Sequence, residues 1–302
     1  MSDFLNYGWS IYIAVATALG LLGCLALLMI AARRRVMAGD NTTGHIWDED
    51  LRELNNPLPR WWMWLFVLTI VFSAVYLALY PGFGSAPGKL AWTSAQQLQQ
   101  EQAAAAALSA PLYAGFAAKP ALLLARDPQA MAVGERLFAN HCAACHGADA
   151  RGSKGFPNLT DADWLWGGSP ERINETITQG RQGLMPPMAA AVGTTEEVRN
   201  VASYVLSLSG GPDNLAAQLG RPKFVVCAAC HGANGKGNTA LGAPNLSDDI
   251  WLHGRGQEAI VAMVTQGKTN AMPAQQGRLT PEQIHVLTAY VWGLSNPAAA
   301  GP

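Results

Sequence analysis

Cys142-Ala143-Ala144-Cys145-His146 and Cys227-Ala228-Ala229-Cys230-His231 are one pentapeptide used twice. Cys-x-x-Cys-His is the attachment signature of c-type haem. Its two thiols form thioethers with the two vinyl groups of one haem, and the adjacent imidazole reaches the iron from the same side. The chain is therefore expected to carry two covalent haems c, held by Cys142, Cys145, Cys227 and Cys230, with His146 and His231 as proximal iron ligands. A redox disulfide would not need the histidine and would sit between a strand and a helix. A zinc site would need two more Cys or His ligands at suitable spacing. Cys24 lies far away in an apolar segment and reads as a small buried residue.

The chain has 302 residues, a net charge of −1 and half its residues apolar. That leaves room for about two domains and extras, and nothing in the charge points to nucleic acid. Gly8 to Ala32 carries no charge and ends at Arg33-Arg34-Arg35. A bilayer span takes about 20 apolar residues, so this run is long enough. A secretory signal would have a basic start and a shorter apolar core, whereas Asp3 precedes the run and the basic cluster follows it. Trp61 to Tyr80 is a second uncharged run, with Trp61, Trp62 and Trp64 at one end and Tyr76 and Tyr80 at the other. Indole and phenol rings favour the headgroup level. Arg33, Arg34, Arg35, Arg52 and Arg60 all lie between the two runs. The positive-inside rule puts that loop in the cytoplasm and the haem motifs in the bacterial periplasm.

From about Asp127 the chain is a tandem repeat. Pro157-Asn158-Leu159, Trp164, Gly167, Gln179-Gly180, Met185-Pro186 and Tyr204 recur as Pro244-Asn245-Leu246, Trp251, Gly254, Gln266-Gly267, Met272-Pro273 and Tyr290. From Pro-Asn-Leu through Met-Pro the offset is constant, and between haem motif and Pro-Asn-Leu the second copy has two extra residues. The repeat resembles class I cytochrome c domains, small helical folds around one haem. That resemblance implies Met185 and Met272 as distal iron ligands, with Met188 a competitor whose counterpart, Gln275, cannot serve. It also implies that the Pro157 and Pro244 carbonyls orient the haem histidines. Gly134 and Phe138, echoed by Gly220 and Phe224, match the N-terminal helix that crosses a C-terminal helix bearing Tyr204 or Tyr290. Pro222 makes the second of these N-terminal helices short or kinked. His45, His141, His253 and His285 read as ordinary polar residues.

Ahead of the second apolar run stands Trp47-Asp48-Glu49-Asp50-Leu51, then Glu53-Leu54-Asn55-Asn56-Pro57-Leu58-Pro59-Arg60-Trp61-Trp62. With two haem motifs behind it, this segment resembles the dihaem subunit (subunit III) of cbb3-type cytochrome c oxidases. The resemblance implies a wire that takes electrons from a soluble periplasmic c-type cytochrome. It passes them by way of a monohaem cytochrome c subunit to the haem–copper catalytic subunit, which reduces O₂ and pumps protons. It implies no catalytic oxygen site on this chain. Many members have one membrane helix, and this chain reads as having two. An electron-transfer subunit of another dehydrogenase or reductase, a dihaem peroxidase and a sensory haem protein are the alternatives.

The expected architecture is all-α: a two-helix transmembrane anchor, then two tandem class I cytochrome c domains. The segments are 1–32 (first membrane helix with a periplasmic stub), 33–60 (cytoplasmic loop), 61–80 (second membrane helix), 81–126 (periplasmic linker), 127–210 and 211–302 (cytochrome c domains). The protein is expected to be two-pass in the bacterial inner membrane, in contact with the lipid bilayer. Each methionine is matched to a sequence copy, not to an iron, so exchange between the copies stays open.

Overall fold

The computed structural model of the chain describes residues 6–33 and 41–297. The N-terminal stub through residue 5, Arg34 and Arg35 lie outside the described residues. The chain divides into two compact units, Met1–Leu108 and Ser109–Pro302.

In the first unit, helix α1 (Tyr7–Ala32) starts where the Asn6 side chain accepts from the Trp9 N–H. Helix α2 (Arg60–Leu79) follows Pro57 and Pro59, which cannot continue a helix from behind. Both are apolar all round. Only Ser10 and Leu28 are buried on α1, and nothing is buried on α2. A soluble core helix would hide such a surface, whereas lipid solvates it, and both helices are long and apolar enough to cross a membrane. Cys24 is exposed on α1, against the expectation of burial. Gly20 and Gly23 face open space. The chain after α2 turns back. Lys89 and Leu90 donate their N–H groups to Ala78 and Leu79 at 2.9 and 2.8 Å, satisfying carbonyls the helix end leaves open. Ser85 N–H donates to Ser10 Oγ at 2.7 Å, which ties this turn to the start of α1. Between the helices, strands β1 (Thr42–Trp47) and β2 (Leu51–Leu54) pair antiparallel around a turn with Asp48 and Glu49 in left-handed conformation.

The second unit is mostly helical. Helix α3 (Ser94–Ala117) runs into it from the first unit, followed by α4 (Ala121–Leu124), α5 (Pro128–His141) and α6 (Ala143–His146). Next come α7 (Pro170–Gln179), β3 (Arg181–Met185), α8 (Ala189–Val192) and α9 (Thr195–Leu208). The second copy supplies α10 (Leu215–Gly220), a 3₁₀ turn over Arg221–Phe224, α11 (Val225–His231), α12 (Gln257–Gln266), β4 (Lys268–Met272) and α13 (Pro281–Ser295). Pro222 sits in the 3₁₀ turn, which breaks the second N-terminal helix where the sequence places the proline. The two ladders, β1–β2 and β3–β4, are the departures from the expected all-α fold.

The boundary expected at 210/211 separates the sequence copies, but the packing crosses it. The first core joins Phe138, Ile173 and Ile177 to Leu279, Ile284, Leu287 and Val291, so α5 and α7 pack on α13. The second core joins Val192, Val198, Val201 and Val205 to Phe224, Ile260 and Val264, so α9 packs on α10 and α12. A Cβ added at Gly134 would lie 2.6 Å from Tyr290 Cβ, and the Phe138 and Tyr290 rings sit 5.6 Å apart. Tyr204 meets Phe224 at 5.3 Å. The short connection, residues 209–214, explains the exchange. It folds α10 straight back onto α9 as a helical hairpin, as short helix connections do. Lys223 then pairs with Glu197 at 2.7 Å across the hairpin.

The segment expected to be a linker, 81–126, also contributes to this unit. Phe116 and Leu124 are buried with Ala130, Val133, Val286 and Ala289. The His285 ring bonds the Lys119 carbonyl at 2.8 Å, and Lys119 pairs with Asp127 at 2.7 Å.

Candidate functional site

Each Cys-x-x-Cys-His run forms a helical turn closed by a left-handed glycine, Gly147 or Gly232. The chain then loops back to the histidine. Gly152 N–H reaches the His146 carbonyl at 2.7 Å, and Gly237 N–H reaches that of His231 at 2.8 Å. Leu159 N–H closes the first loop on Ala150 O at 2.8 Å, and Leu246 N–H closes the second on Gly235 O at 2.6 Å. Asn158 and Asn245 hold these loops by accepting from the backbone and hydroxyl groups of Thr160 and Ser247. That is the physical role of the asparagine in Pro-Asn-Leu, which the sequence reading left unexplained.

The result is one geometry at both histidines. His146 Nδ1 lies 2.9 Å from the Pro157 carbonyl, and His231 Nδ1 lies 3.0 Å from that of Pro244. A carbonyl can only accept, so Nδ1 carries the proton and Nε2 keeps its lone pair for a metal. Burial holds the His231 pKa below its usual value despite the opposing Pro244 bond, which favours the neutral, ligating imidazole. The cysteines do not resemble reactive thiols, whose pKa is depressed. Burial, then the neighbouring Cys145, pushes Cys142 up to about 11, and burial and Cys230 push Cys227 up.

Cys142, Ala143, Leu159, Trp164 and Met272 pack against the first core. Cys227, Ala228, Leu246, Trp251, Met185 and Met188 pack against the second. Each core thus has the first cysteine of one motif and a thioether packed against it, and that motif's imidazole is held on a fixed carbonyl; together with the second cysteine these are the donor types of a covalent haem. Two buried donors, Trp251 Nε1 and one terminal nitrogen of Arg181, have no hydrogen-bond partner among the described residues. Buried donors are normally satisfied, and the carboxylates of a haem would satisfy them. The chain's residues therefore fit haem c. Among the described residues no cluster of three or more His, Cys, Asp or Glu could hold a separate metal ion.

The two halves meet along the β3–β4 ladder. Arg181 pairs with Met272, Gly183 with Asn270 and Met185 with Lys268. The Arg181 guanidinium lies 5.1 Å from the centroid of Trp166 and bonds Glu175 at 2.8 Å and Thr176 at 2.9 Å. His253, the counterpart of Trp166, bonds Asn270 at 2.9 Å. Gly155 N–H reaches the Leu252 carbonyl at 2.8 Å. The sequence reading treated His253 as an ordinary polar residue, and here it bonds Asn270, a residue of the strand that pairs with β3. It missed Arg181, whose only sequence signal is its place beside Gln179-Gly180.

Residues 39–87 match the model of the N-terminal domain of cytochrome oxidase-cbb3, FixP. Residues 129–205 and 223–291 match that of cytochrome c oxidase, cbb3-type, subunit III. The cbb3-type cytochrome c oxidase subunit CcoP of Rubrivivax gelatinosus is 66% identical over 98% of this chain and 97% of its own. The subunit FixP of Azorhizobium caulinodans is 42% identical over 84% and 92%, and that of a Bradyrhizobium species 40% over 85% and 96%. The paired haem-type motifs, the apolar helices and these matches lead to one conclusion: the chain belongs to the CcoP/FixP family and is the electron-transfer subunit III of a cbb3-type cytochrome c oxidase.

Proposed function

We propose that this subunit carries two haems c in the periplasm and passes electrons from a soluble c-type cytochrome, by way of a monohaem cytochrome c subunit, to the haem–copper subunit. The observation that carries this reading is the duplicated cradle, with each histidine's Nδ1 on a proline carbonyl, at 2.9 and 3.0 Å, beside a core that holds a methionine. Cys142 and Cys145 hold one haem, and Cys227 and Cys230 hold the other. His146 and His231 are the proximal ligands, Met185 and Met272 the distal ones. Bound there, haem supplies an iron that moves between Fe(III) and Fe(II) by one electron.

The residues do the rest. The thioethers of Met185 and Met272 are soft and neutral, and favour Fe(II) relative to a second imidazole. The proline carbonyls fix the imidazole planes and raise their basicity. Histidine and methionine together would hold a haem iron without leaving a position for O₂, whose reduction would then fall to the catalytic subunit. Met188 packs on the same core as Met185. The equivalence of Met185 to Met272 favours it as the ligand.

Purification through a tag on this chain in mild detergent, followed by a pyridine haemochrome assay, tests the reading. Two haems c per chain, a methionine–iron charge-transfer band and co-purifying, azide-sensitive oxygen uptake are expected. One haem c per chain, or no such band, overturns it.

A further inference from the structure

We propose that Arg181 holds a carboxylate of the haem attached at Cys142 and Cys145, and that its charge raises the reduction potential of that haem. The proposal rests on the reading of the two motifs as haem c sites.

The backbone aims Arg181 at the first site. Directly opposite residues of an antiparallel pair project to the same face, and Arg181 stands opposite Met272. Gln182, Leu184, Thr269 and Ala271 are exposed on the other face of the ladder. Arg181 therefore emerges beside Met272, which packs against the same core as Cys142. Glu175 and Thr176, which hold the guanidinium, lie on α7, whose Ile173 and Ile177 belong to that core.

The guanidinium is fixed in place but not neutralised. Nε donates to Thr176 at 2.9 Å, Nη1 donates to Glu175 at 2.8 Å, and the Trp166 ring lies 5.1 Å away. Nη2 is buried and has no hydrogen-bond partner among the described residues. Glu175 is also shared, because Arg172 donates to its other oxygen at 2.7 Å. Two guanidiniums against one carboxylate leave a positive charge over. The Arg172 side chain is 51% exposed and is screened by water, whereas that of Arg181 is 15% exposed. The surplus thus falls on the buried group, where an unpaired charge is costly. A guanidinium fork matches a carboxylate in shape and charge, and a haem brings two carboxylates.

The second copy is built differently. Lys268, the counterpart of Arg181, stands opposite Met185 and is exposed. An exposed ammonium is a strongly hydrated point charge, and salt screens it. The two sites offer the same donor types and differ in the cation beside the methionine. Reduction adds an electron to a haem, and a fixed positive charge in a low-dielectric setting stabilises that electron. Arg181 therefore shifts the potential of the first haem upwards.

The test is a spectroelectrochemical titration of the full chain, purified in detergent with its haems c. Cys142→Ala leaves the first haem attached through Cys145 alone. Its unconverted vinyl group moves its absorption to the red, which identifies its wave. Cys227→Ala labels the other haem instead if the first background loads poorly. Arg181→Gln is expected to shift the first haem's equilibrium about tenfold towards the oxidised form, a fall of about 59 mV for one electron, and to leave the other wave in place. Arg181→Lys, which keeps the charge, should restore most of the potential. Glu175→Gln removes a negative charge and should move the same wave upwards. Lowering the pH should narrow the gap between Arg181→Gln and the unmodified protein, as protonation neutralises the carboxylate that has lost its partner. A packing role alone predicts that Arg181→Lys does no better than Arg181→Gln and that Glu175→Gln lowers the wave as well. Either result overturns the proposal, as does a shift confined to the other haem. Two haems c per chain with both waves unmoved by Arg181→Gln overturns the role of Arg181 alone. Fewer than two haems c in the unmodified chain overturns the reading on which it rests.

Discussion

His146 and His231 show how one hydrogen bond sets the chemistry of a residue. With Nδ1 fixed on a carbonyl 2.9 or 3.0 Å away, only Nε2 is left to bind a metal. The glycines are equally specific. Gly134→Val would drive a branched side chain into Tyr290, whose Cβ already lies 2.6 Å from the position of the new Cβ. Overpacking of this kind costs about 1–3 kcal/mol. Gly115, on α3, has nothing within 4 Å. Gly115→Ala should therefore stabilise by about 0.5–1 kcal/mol through helix propensity alone, and thermal unfolding of the two variants should move in opposite directions. Electrostatics adds a pH dependence. Burial, then the nearby charges of Asp248 and Asp161, raises the pKa of Asp163 above its ordinary value of 3.8. An acid with a raised folded pKa is favoured while protonated, so its contribution is fully present below 3.8 and is lost as the pH climbs through the folded value. Asp163→Asn should raise the melting temperature at pH 7 and lose that advantage below about pH 4. Because the carboxyl is half-exposed, solvent screening limits the gain to less than about 1 kcal/mol.

Elements differ in how far the sequence reveals them. α1 and α2 were legible because an uninterrupted apolar run has few alternatives, and their observed limits, Tyr7–Ala32 and Arg60–Leu79, lie within a residue or so of the expected ones. β1–β2 was not, because its alternation is short and its turn uses Asp48 and Glu49 in a conformation that glycine or asparagine normally signals. The exchange between copies was undecidable from motifs, since both copies offer the same residues at the same spacing and swapping partners preserves every one. The signal lay in the connection instead. Gly210-Gly211-Pro212 joins two helices too closely for them to do anything but pack on each other. The segment before α5 was misjudged for another reason. Its Gln- and Ala-rich start conceals an apolar end, and Phe116 and Leu124 are buried to 3% and 0% exposure. Phe116→Ala should cost roughly 3–5 kcal/mol, the range for a large aromatic removed from a packed core. A melting temperature of the cytochrome unit unchanged by that substitution would mean that this segment is a tether after all.

At the scale of the whole molecule, charge and covalent chemistry are two separate arguments for the same proposed topology. Arg52 lies between α1 and α2, Arg60 opens α2 and Arg33 closes α1. The positive-inside rule counts such residues close to the ends of the spans. The segment after α2 offers Lys89 alone before α3 begins. We propose that the hairpin anchor keeps its arginine-rich loop inside and returns the chain to the outer side, where thioether attachment takes place in bacteria, an orientation that suits both the haem-type motifs and the arginines. The opposite orientation would leave Cys142, Cys145, Cys227 and Cys230 in a compartment that keeps thiols reduced and unattached. His45 is exposed on β1 and reports this directly. In a Cys24→Ser background, His45→Cys should react with a membrane-impermeant maleimide in inverted vesicles and stay unlabelled in intact spheroplasts. Labelling from the outside of spheroplasts would reverse the topology, and with it the side of the membrane from which the donor cytochrome approaches.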